Sequence, residues 1–85
     1  MAVKLKITKA NGEVSEHKIT PLVQYAFEKE YRKSFYSAVV EEGNRTYFFW
    51  LAWKCLSLVE DVKIFGENFI KELDDVEVVT DDPNQ

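Results

Sequence analysis

One cysteine, one histidine, two prolines and three glycines are all that these 85 residues contain of the types that most often cross-link, catalyse or punctuate. A lone Cys55 cannot close an internal disulfide, which excludes a disulfide-stapled secreted fold and a cysteine zinc site. Glycines at 12, 43 and 66 are too dispersed to build a phosphate-cradling loop. No basic segment followed by an apolar one opens the sequence, so the expectation is no signal peptide and a cytoplasmic location. The longest apolar stretch, Tyr47 to Val59, is interrupted by Lys54 and Ser57 and falls short of the roughly 20 residues of a membrane helix. No membrane partner is expected.

What remains is a globular composition, 46% hydrophobic, 14% aromatic and 31% charged, sized for one small domain with a modest core. The net charge of -4 conceals two halves of opposite sign. Residues 1–59 hold nine Lys/Arg against six Asp/Glu, or +3; residues 60–85 hold two Lys against nine Asp/Glu, or -7. Lys4, Lys6, Lys9 and Lys18 suit a solvated strand face that discourages edge pairing. An acidic chain without a clustered basic surface argues against nucleic acid as a partner.

Val3, Leu5 and Ile7 alternate with Lys4, Lys6 and Thr8, the period of a half-buried strand. Asn11-Gly12 then marks a hairpin, with strands over 2–9 and 13–19. Thr20-Pro21 is a helix start, threonine as cap and proline at the first helical position, and Val23, Phe27 and Tyr31 form an apolar stripe behind it. Ser34 resembles a second cap, Gly43 a left-handed helix end and Asn44 a third cap. These signals predict helices near 21–32, 34–42, 45–59 and 66–74, the last marked by Phe65, Phe69, Ile70 and Leu73. Val76 with Val78 or Val79 closes the ordered part as an extended segment. The expected fold is α+β: an N-terminal β-hairpin packed on three to four α-helices, a single domain over 1–79 and a disordered acidic C-terminal tail over 80–85. Leu5, Ile7, Phe27, Phe35, Trp50, Leu51, Ala52, Leu56, Phe69 and Leu73 are its expected core.

Candidate chemistry is sparse. His17 sits in Ser15-Glu16-His17-Lys18, where Glu16, adjacent on a strand, points to the opposite face and cannot orient it; it reads as an exposed strand histidine. Cys55 lies in an apolar helix, where cysteine behaves as a small buried hydrophobe. Asp74-Asp75 and Asp81-Asp82 lack the glycine and distal glutamate of a calcium loop. No catalytic residue, metal site or cofactor is expected, and the chain is read as a non-enzyme. Tyr47, Phe48, Phe49, Trp50 and Trp53 form the informative cluster. A helix apolar on every side is either the central rod of the fold or shares a face with another molecule. These five aromatics are therefore the candidate partner-binding residues, and homo-oligomerisation is a second consequence of the same apolar excess.

The order of features carries a resemblance. Ile19-Thr20-Pro21 leads into Tyr25-Ala26-Phe27-Glu28, then Trp50-Leu51-Ala52-Trp53, Phe65-Gly66-Glu67, Phe69-Ile70, Leu73 and Val76-Glu77-Val78-Val79 before Asp-Asp-Pro. This resembles the small tail assembly chaperones of long-tailed bacteriophages, from about residue 3 to residue 83. The resemblance implies a non-enzymatic role in the host cytoplasm: binding the tape measure protein and keeping it soluble while the tail tube assembles. It also implies a possible longer form made by programmed frameshift. The alternatives are a small structural virion or head–tail connector protein, or a host-directed phage regulatory protein.

Overall fold

Alternating lysines and aliphatics build β1 (Ala2–Lys9) in the computed structural model, which describes residues 2–81. The chain returns as β2 (Val14–Lys18) through Ala10, Asn11 and Gly12. Lys9 N–H donates to the Glu13 carbonyl at 2.8 Å and Gly12 N–H to the Lys9 carbonyl at 2.9 Å. Gly12 alone takes positive φ here, at 94°, a conformation open to glycine at little steric cost. Asn11 contributes through its side chain instead, its Oδ1 accepting from Glu13 N–H at 2.9 Å.

Helix α1 (Pro21–Tyr31) begins as expected, with the Thr20 hydroxyl accepting from Val23 N–H. It ends one residue early, because Arg32 turns left-handed at φ 54° while its N–H caps the Glu28 carbonyl. The segment expected as an α-helix over 34–42 is a π-helix, Tyr36–Glu42, closed by Gly43 at φ 65°. Gly43 N–H reaches back five residues to the Ala38 carbonyl, the wider π spacing. Ser34 does not act as its side-chain cap; Glu28 Oε2 accepts from Phe35 N–H at 2.7 Å in that role. Helix α2 (Arg45–Ser57) starts at Asn44, whose side chain accepts from Thr46 N–H at 2.9 Å.

The largest departure lies after α2. The helix expected over 66–74 is one short turn, α3 (Glu67–Ile70), and Leu73 opens a nine-residue strand, β3 (Leu73–Asp81). The reason is non-local: Val76 and Val78 complete the sheet face begun by Ile7 and Leu5, their register partners on β1. The extended ending anticipated at 76–79 is thus a paired strand, and it runs on to Asp81, past the boundary expected at residue 79. Residues 82–85 of the expected tail lie outside the described residues.

The sheet is antiparallel in the order β2-β1-β3, with a register shift at Asp74, where Thr8 faces Asp75 and Lys9 faces Leu73. Leu5, Ile7 and Val76 are buried on its inner face, against the helices. On the outer face Lys6 lies between Glu16 and Glu77, opposite charges that stabilise cross-strand neighbours. Phe27 centres the core, its ring 5.0–6.0 Å from those of Tyr31, Phe35, Tyr47 and Trp50. Nine of the ten expected core residues are buried; Leu73 is half-buried because it opens a strand instead of closing a helix.

Candidate functional site

The all-round apolar helix α2 is the central rod of the fold. It packs against β1 and β3 of the sheet, and the chain covers it so fully that no position from 47 to 57 is exposed. Of the five candidate partner-binding aromatics, Tyr47 and Trp50 belong to the core, while Phe48, Phe49 and Trp53 are half-buried. Tyr47 and Trp50 are held by edge-on packing with Tyr31 at 4.8 and 5.8 Å. Phe48 and Phe49 share one cation: the Arg45 guanidinium sits 5.6 Å from each ring centroid and also bonds Asp75 of β3 at 3.0 Å. Trp53 leans toward the segment after α2, its indole N–H donating to the Lys63 carbonyl at 3.0 Å. The five are therefore split by the packing into a buried pair and a half-accessible trio.

Exposed apolar surface occurs elsewhere. Leu58 (51%), Val59 (70%) and Ile64 (89%) lie just beyond α2, and Leu22 and Tyr25 lie on the outer side of α1. Leu58 and Val59 flank a groove of about 300 Å³ between β2 and the end of α2, which His17, Thr20, Val23 and Cys55 also line. Sequence reasoning missed this groove. Its signal was present: the Asn11-Gly12 turn fixes the hairpin register, and that register sets His17 opposite Leu5 and Ser15 opposite Ile7, on the core side of the sheet.

His17 is accordingly half-buried, in contrast to the exposed histidine expected. Burial holds its imidazole below the ordinary value of 6.5, with Lys9 acting in the same direction and Glu60 against it. Its Nε2 lies 2.9 Å from the Ser15 hydroxyl, a contact between residues two apart on one strand face. The carboxylate that could orient such a pair, Glu60, is engaged by Lys9 at 3.0 and 3.3 Å. That hydrogen bond raises the Lys9 ammonium above its usual value. Cys55, on the groove floor, has its thiol pushed up to about 11 by burial, so at neutral pH it is protonated and a poor nucleophile. Among the described residues, no three of His, Cys, Asp and Glu gather as a metal-binding group, and no helix is long and apolar enough to cross a membrane. The arrangement offers apolar contact, one sheet edge and a hydrogen-bonded Ser–His pair.

Compared with protein-family models, curated proteins and solved structures, the chain has no match in any of the three.

Proposed function

We propose that this chain is a non-enzymatic binding protein, a tail assembly chaperone of a long-tailed bacteriophage that holds the tape measure protein soluble in the host cytoplasm. The observation that carries the binding reading is the trio Phe48, Phe49 and Trp53, half-buried on a helix whose remaining aromatics are locked into the core. Half-buried aromatics held on a rigid rod present what surface they leave open without an ordering cost at the moment of capture. Ile64, beyond the same helix, extends the apolar surface available to a client. The acidic C-terminal part, -7 over residues 60–85, serves solubility while that surface is uncovered. The sequence resemblance supplies the identity of the client.

The test is co-expression. An otherwise insoluble tape measure fragment enters the soluble fraction with this protein and not without it. Replacing Phe49 or Trp53 with alanine, with folding confirmed by circular dichroism, weakens capture by about 2 kcal/mol if either is a hot spot. Raising salt from about 0.1 to 1 M leaves an apolar complex largely intact and dissolves an ionic one. Fragments that stay insoluble across several overlapping lengths would refute capture by the 85-residue chain acting alone.

A further inference from the structure

The free edge of β2 has an internal symmetry. Ile19 N–H donates to the Val3 carbonyl and Lys9 N–H to the Glu13 carbonyl, so odd-numbered residues of this strand direct their backbone groups at β1. Glu16 and Lys18 therefore direct their N–H and C=O groups away from the sheet, and among the described residues β2 has no strand neighbour on that side. Their side chains are exposed on the outer face, one acidic and one basic, with His17 between them on the inner face.

We propose that β2 is a self-association surface at which a second copy of this chain pairs antiparallel, His17 facing His17 across a twofold axis and Glu16 facing Lys18 of the second copy. Parity and charge select this register together. Centring the axis on His17 makes both Glu16–Lys18 pairs hydrogen-bonded positions of the new ladder and both oppositely charged. Centring it on Glu16 or on Lys18 sets like charges face to face, which destabilises a cross-strand pair. The twofold stands perpendicular to the sheet, so the two sheets continue as six strands with all helices on one side. Leu58 and Val59, exposed beside the groove behind β2, then lie along the seam and are covered by the second copy. Neither this surface nor its register depends on the chaperone reading.

The seam is also pH-sensitive, because two imidazoles approach each other on the axis. The groups around each His17 are the Ser15 hydroxyl beside it, Cys55 of α2 in the same groove, and Glu60 and Lys9 from the segments packed against it. Glu60 favours the imidazolium, but it is shared with Lys9, whose own charge opposes it.

Charge exchange tests the register. The full chain, studied by sedimentation velocity over about 5 to 300 µM, shows a concentration-dependent dimer at neutral pH. Glu16→Lys and Lys18→Glu each turn two attractive pairs into two repulsive ones and weaken the dimer about tenfold or more. The double exchange restores it, since each new lysine then meets a new glutamate. Lys18→Glu is the sharper single change: it replaces a like-charge Lys4–Lys18 neighbour pair within the protomer, so it does not weaken the fold while it opposes the dimer. His17→Cys supplies a second readout. Facing residues at a non-hydrogen-bonded position lie about 4.5 Å apart at Cα, within disulfide reach, so this variant cross-links on oxidation and Glu16→Cys does not. Lowering the pH from about 7.5 to 5.5 weakens the wild-type dimer and not that of His17→Gln. A chain that stays monomeric throughout, single-charge variants that associate like wild type, or a His17→Cys variant that fails to cross-link would overturn the proposal.

Discussion

Among the described residues the small sheet ends in two unpaired strands, β2 and β3, whose edges are chemically unlike. β3 presents nine residues, with Asp74 at an irregularity and Asp75 and Glu77 exposed along its outer side, all of one sign. β2 presents five, with Glu16 and Lys18 of opposite sign on the same face. A second copy approaching β3 meets like charge in most registers; a second copy approaching β2 meets its own complement in one. Edge strands are a standing invitation to pair, and charge of a single sign is one means of refusing it. The difference teaches that strand length does not decide which edge is available, since the longer edge here is the better guarded.

Four measurements would break or sharpen that contrast. The largest effect is expected from Leu5→Ala in β1, the strand both edges depend on. Leu5 is fully buried, and its truncation costs about 2–5 kcal/mol, read as a fall in the denaturant midpoint. It disables both edges together; a loss confined to one would show that the sheet is not a single cooperative unit.

Next is Asp75→Asn with Glu77→Gln, which removes the guard from β3. Losing the exposed Arg45–Asp75 ion pair costs at most about 1 kcal/mol in stability. The expected change is in solution behaviour: light scattering at high protein concentration rises relative to wild type. An unchanged signal would mean that the strand's twist and its irregularity at Asp74, and not its charge, protect this edge.

A pH effect on folding follows from His17. Its folded value lies below the unfolded one, because burial penalises the imidazolium. The stabilisation is therefore fully present above the ordinary histidine value and declines as pH falls through the folded value. Thermal melts of dilute protein at about pH 7.5 and 5.5 register a drop for wild type and a smaller drop for His17→Gln. Equal drops would place the sensitivity outside the β2 seam.

Smallest is the response of Cys55. With its thiol held up to about 11, it reacts slowly with a thiol reagent at neutral pH in the folded protein and readily in denaturant. Fast native-state reaction would mean that the groove beside β2 opens in solution.

Of the candidate site, the sequence disclosed the helix and not how its aromatics divide between buried and half-buried. The run Tyr47 to Trp53 announces burial whichever way it is turned, so periodicity had nothing to separate Tyr47 and Trp50 from Phe48, Phe49 and Trp53. Only the placement of Tyr31 and Phe27 against one flank made that division. Adjacency to Glu16 says nothing of which face His17 occupies; the hairpin register does, setting it beside Leu5 on the core side.

Local chemistry by itself determined the hairpin at Asn11-Gly12, the starts of α1 at Thr20-Pro21 and α2 at Asn44, and the left-handed stop at Gly43. Each is a backbone requirement met by side chains a few residues away, which a linear reading can see. Tertiary structure alone decided that the extended ending starts at Leu73, runs to Asp81 and pairs with β1, that β1 is central and that the two edges differ in charge. Those outcomes depend on pairing residue 5 with residue 78 and residue 7 with residue 76. A contact across some seventy residues is selected by the buried face it completes, and no neighbour in the sequence records it.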